Sequence, residues 1–94
     1  MIEMNDEEQA LATAAQKGLN DAKKALRDAM KATRVLMDIQ EKAGRNQEYS
    51  AAYDTWVEMD AALNGVHRAH SVGTKALAAN YSNGGIVLYG GGGR

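Results

Sequence analysis

Residues 5–43 carry no proline, and Gly18 is the only residue among them that weakens a helix. Because proline and glycine interrupt helices most strongly, this stretch predicts one long α-helix. Asn5 and Glu8 have the spacing of a capping box at its start. Gly44 stands where a helix commonly ends on a glycine. The first half of the chain is therefore predicted to be one rod with defined ends.

A second helix is predicted over residues 46–80, where the sequence SNGG ends the helical pattern. Together the two segments predict an all-α fold, a long antiparallel αα-hairpin with helices at about 5–43 and 46–80. We assign residues 1–83 to this helical domain and residues 84–94 to a Gly-rich C-terminal arm.

Composition limits the possible classes of protein. The chain has 94 residues, no cysteine and a net charge of -1. We therefore expect one domain, no disulfide framework and no bulk attraction to nucleic acid or membranes. No stretch has the roughly 20 apolar residues of a membrane span, and the acidic start differs from a signal peptide. We expect a cytoplasmic protein.

Each predicted helix has an apolar seam with alternating steps of three and four residues, the spacing of a coiled coil. On the first helix the seam is Leu11, Ala15, Gly18, Ala22, Ala25, Ala29, Ala32, Leu36 and Ile39. On the second helix it is Ala52, Trp56, Met59, Leu63, Val66, His70, Gly73 and Leu77. Small residues of the first seam are expected to face large residues of the second.

The core that such a hairpin can bury is small. Of the apolar residues 17 are alanine, and phenylalanine is absent. Leu19, Leu26, Met30 and Met37 are predicted to lie beside the first seam and to stay partly exposed in a single copy. Exposed side chains of this size favour association, so we expect the hairpin to pack into a homo-oligomeric bundle.

The basic residues of the first helix fall into two groups. Three of them precede an acidic residue by four positions and predict surface ion pairs, namely Lys17–Asp21, Lys24–Asp28 and Arg34–Asp38. Lys23, Arg27 and Lys31 instead follow one another at four-residue spacing. Because like charges at that spacing repel, this second group is either a solvated outer face or a site for an anion.

A line of polar and aromatic residues recurs every seven positions beside the seam of the second helix. It consists of Tyr53, Asp60, His67, Thr74 and Tyr81, and Arg68 lies next to it. Such an edge forms either the ordinary boundary of a helical bundle or a polar groove. In a groove, the aromatic rings would stack on a ligand and the basic side chains would bind an anion.

No catalytic or metal-binding signature accompanies these residues. His67 and His70 are spaced for a shared ligand, but His70 lies on the apolar seam while His67 flanks it, and the two match no zinc pattern. Ser71 and Thr74 lack the strained turn of a nucleophile elbow. The sequence predicts no enzyme activity, no metal and no cofactor.

The C-terminal arm combines glycine runs with the apolar segment Ile86–Tyr89. The glycine amides near Gly90 and Gly91 could wrap an anion. The apolar segment predicts an anchor that docks on the hairpin or on a neighbouring subunit, whereas a frayed terminus is the simpler alternative.

In shape, this architecture resembles the small phage proteins that sequester cyclic nucleotide signals of bacterial immunity, the anti-CBASS and anti-Thoeris sponges. The resemblance covers residues 5–94 in outline and involves no shared motif. It implies a non-enzymatic protein, inside a bacterial host, that holds cyclic oligonucleotides in pockets between protomers. The residues that would serve this role are Lys23, Arg27, Lys31, Tyr53, His67, Arg68, Tyr81, Gly90 and Gly91.

A second hypothesis belongs to a different class. The exposed leucines and methionines, or the arm at residues 84–94, could dock on a host protein, which would make the chain a helical inhibitor or assembly factor. Nucleic-acid binding ranks third, because the basic stripe is short and lacks interleaved aromatic residues.

Overall fold

The computed structural model describes residues 2–85, which form two long helices. Helix α1 spans Asp6–Lys42 and helix α2 spans Asn46–Asn80. The predicted all-α αα-hairpin is confirmed, and its helix ends agree with the predicted ones to within one residue. The predicted anchor at Ile86–Tyr89, and Gly90 and Gly91, lie outside the described residues.

The start of α1 is fixed by local hydrogen bonds. The backbone N–H of Glu8 donates to Asn5 Oδ1 at 2.8 Å, and the N–H of Asn5 donates to Glu8 Oε1 at 3.0 Å. These reciprocal bonds satisfy two backbone donors at the helix start. The predicted capping box is confirmed.

The turn between the helices is a Schellman motif, which reverses the chain within three residues. Gly44 has a φ of 73°, a conformation that favours glycine. The N–H of Arg45 donates to the carbonyl of Gln40 at 2.9 Å, and the N–H of Gly44 donates to the carbonyl of Glu41 at 3.1 Å. The predicted role of Gly44 is confirmed.

The helices run through two compact units. One unit comprises residues 23–65 and includes the turn; the other comprises the remaining residues at both ends of the chain. In the 23–65 unit, Met37 and Ala52 are buried, and Thr33 Oγ1 lies 3.7 Å from Met59 Sδ. The same hydroxyl donates to the carbonyl of Ala29 at 2.8 Å. Segments of α1 and α2 therefore pack on each other in this unit.

In the unit formed by the two ends of the chain, Gln16 is the buried residue of α1, at 6% exposure. A Cβ atom on Gly73 of α2 would lie 2.6 Å from Gln16 Nε2. The two helices therefore approach each other closely where a large polar side chain lies against a glycine.

The segment before α1 docks on the segment after α2, which the sequence did not predict. Ile2 forms a parallel β-bridge with Tyr81, and the N–H of Ser82 donates to the carbonyl of Ile2 at 2.8 Å. The Asn83 amide holds the backbone of Met4 from both sides: its Oδ1 accepts from the N–H at 2.9 Å and its Nδ2 donates to the carbonyl at 3.0 Å. Met4 is buried in consequence, with 5% of its surface exposed.

Gly84 closes this docked end because only a glycine fits there. A Cβ atom on Gly84 would overlap the backbone carbonyl of Leu77 and lie 2.9 Å from the backbone nitrogen of Ala78. The N–H of Gly84 donates to the carbonyl of Tyr81 at 3.1 Å. The loop therefore lies directly on the last turn of α2.

The face of α1 that packs on α2 differs from the predicted one. We call the predicted seam, from Leu11 to Ile39, the outer stripe; seven of its nine residues are exposed. The inner stripe is the neighbouring set with the same three-four spacing, and none of its residues is exposed: Gln16, Leu19, Lys23, Leu26, Met30, Thr33, Met37 and Gln40. The prediction was wrong for α1, because the larger side chains of the inner stripe bury more apolar area than alanines do.

The seam predicted for α2 is correct. All eight of its residues, from Ala52 to Leu77, are buried or half-buried. Of the four residues predicted to stay partly exposed beside the first seam, Met37 is buried at 4% exposure, which corrects the prediction, whereas Leu19, Leu26 and Met30 are half-buried and remain partly exposed.

Candidate functional site

The three cations predicted as an anion site do not share one environment. Lys23 is 9% exposed, so the prediction that it lies on a solvated outer face is wrong. It belongs to the inner stripe, where its long apolar stem can cover neighbouring side chains. Lys23 and Arg27 each make an interaction within the protein. Arg27 and Lys31 are exposed.

Arg27 and Lys31 line the same surface cavity in the 23–65 unit, with a volume of about 280 Å³. Two groups of side chains form it: the cations Arg27, Lys31 and Arg34 of α1, and the half-buried apolar residues Met30, Trp56 and Leu63 from the two helices. The wall of the cavity is almost wholly apolar. The arginine and lysine stems therefore contribute to the wall. We call this the Trp56 cavity.

Arg34 stacks on the aromatic ring in this cavity. Its guanidinium carbon lies 5.7 Å from the centroid of the Trp56 ring, within the range of a cation–π interaction. Such a contact stabilises an exposed pair by about 0.5–1 kcal/mol. It holds the guanidinium group beside the indole.

The ion pairs on α1 agree in part with the predicted ones. Lys17 Nζ lies 2.9 Å from Asp21 Oδ2, as predicted. The hydrogen bond to Asp21, helped by its negative charge, raises the pKa of Lys17. Asp38 pairs with Lys42 at 3.0 Å, and not with Arg34 as the spacing predicted, because Arg34 stacks on Trp56.

The residues that recur every seven positions from Tyr53 to Tyr81, the last of which follows the end of α2, have a mixed environment. Asp60, Thr74 and Tyr81 are half-buried, whereas His67 is exposed and makes an interaction within the protein. Tyr53 is 48% exposed. The edge thus contains both boundary and solvent-facing residues, and a polar groove for a ligand stays a prediction.

The ligand residues predicted on α2 fall in different units. Tyr53 belongs to the 23–65 unit, together with Arg27 and Lys31. Arg68 is exposed in the other unit, where Tyr81 is engaged in the bridge to Ile2.

A second concavity in the 23–65 unit lies close to the turn and has a volume of about 430 Å³. It is lined by Arg34, Val35, Met37, Asp38, Glu41 and Tyr49. Charges of both signs meet there, and Asp38 is already paired with Lys42. This surface has less electrostatic preference for an anion than the Trp56 cavity.

Across residues 2–85, no group of three or more histidine, aspartate or glutamate residues is placed to hold a metal ion. Neither α1 nor α2 is apolar enough over a sufficient length to span a bilayer.

Sequence reasoning missed four of the six residues that line the Trp56 cavity, namely Met30, Arg34, Trp56 and Leu63. Arg34 was assigned to an ion pair, although it lies seven residues after Arg27 and three after Lys31, which places all three on one helix face. Trp56 was counted as a seam residue, but a tryptophan is too large for one seam position to bury completely. The close spacing of the three cations on α1, taken together with the single tryptophan, is the sequence pattern that could have indicated this cavity.

No family model, curated protein or solved structure matches this chain.

Proposed function

We propose that this protein is a non-enzymatic helical interaction module that associates with a second copy of itself through the outer stripe of α1. The observation that supports this proposal is that the apolar outer stripe is exposed at both of its ends. Leu11, Leu36 and Ile39 at its two ends are 64%, 47% and 56% exposed, although they continue the spacing of a coiled coil.

The shortage of buried apolar area in one copy favours self-association. Met4, Met37 and Ala52 are the only buried hydrophobic residues within the described part of the chain, and no large side chain in that part is fully buried. A small domain with so little core commonly gains stability from oligomerisation.

A second copy fits the stripe better than an unrelated surface does. The nine positions from Leu11 to Ile39 include no charged residue, and the middle ones are alanine or glycine. Small residues allow two helix backbones to approach closely, and the continuous three-four repeat is complementary to a helix with the same repeat. The outer stripe of another copy meets both requirements.

Leu36→Glu tests this proposal. The mass of the wild-type protein, measured by sedimentation equilibrium, is expected to be a multiple of the 10.1 kDa chain. Placing a carboxylate in the stripe removes Leu36 burial from both copies of a symmetric interface, about 3 kcal/mol in total or roughly 100-fold in Kd. The variant should therefore sediment as a single chain.

Val72→Glu is the matched control, because Val72 is exposed at 61% and lies outside both stripes. The Val72→Glu variant should have the same mass in sedimentation equilibrium as the wild-type protein. A wild-type protein that is monomeric at high concentration would overturn self-association and turn attention to a host protein as the partner. Equal masses for Leu36→Glu and the wild type would exclude the outer stripe as the interface.

Binding of an anionic small molecule is a second candidate function. It is the role that the resemblance to the cyclic nucleotide sponges implies, and the Trp56 cavity supports it because Arg27 and Lys31 meet an aromatic ring there. Native mass spectrometry of protein purified from bacteria tests it directly. Extra mass of nucleotide size that is lost on denaturation would support this role, and ligand-free protein would count against it.

A further inference from the structure

The Trp56 cavity combines two chemical features that an ordinary surface concavity lacks. Its wall is apolar, formed by Met30, Trp56 and Leu63 together with aliphatic stems. The side chains that carry charge in it all belong to cationic residues of α1, which are exposed. An apolar interior beside positive head groups suits a ligand with an apolar body and negative charge at one end.

The positive charge is concentrated by the helix geometry. Arg27, Lys31 and Arg34 are spaced by four and then three residues, so they lie on one face of α1. Like charges at such spacing repel one another and destabilise a helix. A bound anion removes this repulsion, which adds to the attraction that each cation exerts.

The cavity also limits the size of the ligand. A volume of about 280 Å³ is slightly below the ~300–1,000 Å³ typical of small-molecule pockets. One flat ring system can enter against Trp56, whereas a longer apolar molecule would extend into solvent. Stacking on aromatic side chains contributes to the affinity for bases in nucleic-acid complexes.

We propose that the Trp56 cavity binds a small aromatic anion with two or more negative charges, the chemical class that includes nucleotides. The ring packs against Trp56, Met30 and Leu63. The anionic groups lie at the rim, where the Arg27 and Arg34 guanidinium groups and the Lys31 ammonium donate hydrogen bonds to them. This inference goes beyond self-association and gives the second candidate function a defined site.

Trp56 itself is the reporter for the test, because it is the one tryptophan in the sequence. Its fluorescence is followed at low salt during titration with four probes: ATP, AMP, adenosine and inorganic tripolyphosphate. ATP should quench the emission saturably with a Kd below ~1 mM, and AMP should bind more weakly because it carries fewer charges. Adenosine should bind weakest. Tripolyphosphate should compete with ATP while quenching little itself, and added salt should weaken ATP binding.

Lys31→Gln removes one rim charge, and Lys75→Gln is the control because it removes the same charge from an exposed position in the other unit. Loss of one charged hydrogen bond, at about 1.5–3 kcal/mol, predicts a roughly 10- to 100-fold weaker ATP affinity for Lys31→Gln. Lys75→Gln should change it less than about twofold, because an exposed charge distant from a site is screened. Circular dichroism should show unchanged helix content in both variants.

Three results would overturn the proposal. One is the absence of saturable quenching by ATP below ~1 mM. Another is an equal ATP affinity in the Lys31→Gln and Lys75→Gln variants. The third is tripolyphosphate binding as tightly as ATP, which would leave no role for the ring. The monomeric Leu36→Glu variant separates this inference from self-association, since it should still bind ATP as the wild-type protein does.

Discussion

Gly84→Ala and Gly65→Ala make the same chemical change in two environments, and the structure predicts opposite effects on stability. The Cβ atom that Gly84→Ala adds would overlap the carbonyl of Leu77, which is backbone and cannot rotate away. Gly65 lies within α2, and no atom in the described part of the chain lies within 4 Å of the position that its Cβ would take.

The loss of stability in Gly84→Ala is estimated from the packing and the hydrogen bonds that the loop loses when it moves. Overpacking typically costs about 1–3 kcal/mol. A shifted loop also weakens the two hydrogen bonds between Asn83 and Met4, each of which contributes about 1 kcal/mol net. The weakened bonds are part of the relaxation that overpacking forces, so we expect a total loss of about 2 kcal/mol.

Gly65→Ala should be stabilising. Alanine is more favourable than glycine inside a helix by about 0.8–1.0 kcal/mol, and no contact opposes the added methyl group. The two variants should therefore differ in stability by about 3 kcal/mol.

Thermal unfolding followed by circular dichroism measures both effects. For a domain of this size, 1 kcal/mol shifts the Tm by roughly 4–8 °C, so Gly84→Ala should lower the Tm by about 8–16 °C and Gly65→Ala should raise it by about 4–8 °C. All samples need the same protein concentration, because association makes the Tm depend on it. A Gly84→Ala protein as stable as the wild type would refute the close packing of the loop on α2. A destabilised Gly65→Ala protein would show that the surface around Gly65 is covered by a partner.

Asn83→Ala should cost about 2 kcal/mol and speed hydrogen exchange at the Met4 amide, because both Asn83 hydrogen bonds to Met4 are lost. The Asn80 amide donates to the carbonyl of Ala76 in its own helix, so Asn80→Ala should change stability by less than about 0.5 kcal/mol. Equal effects of the two variants would contradict the docking of the N-terminal segment. Gln40→Met should stabilise the protein by about 1 kcal/mol in urea unfolding, because the buried Gln40 Oε1 has no hydrogen-bond partner among residues 2–85. Gln47→Met, at an exposed position, is its control, and a destabilised Gln40→Met protein would show that the amide does have a partner.

The ends of the helices followed from the sequence because local interactions fix them. The Asn5–Glu8 capping box connects residues three apart. Gly44 ends α1 through hydrogen bonds that reach back at most five residues. Interactions of such short range can be predicted from the order of residue types alone.

The choice of the packed face on α1 did not follow from the sequence. The outer and inner stripes have the same three-four spacing and lie side by side, so periodicity predicts either one. Tertiary packing decided between them: Met37 and Lys23 are buried against neighbours, whereas Leu36 and Ile39 remain exposed. The Trp56 cavity depends on this choice, because its α1 residues lie on or beside the inner stripe.

The docking of the two chain ends was likewise decided by tertiary structure. Met4 and Asn83 are separated by 79 positions, and nothing in either local sequence indicates the other. Their hydrogen bonds join the two chain ends within the unit that those ends form. The sequence alone therefore determined two helices, their ends and the turn, since these depend on neighbours within a few residues. Which faces meet, and which residues surround Trp56, depended on how side chains far apart in the chain compete for burial.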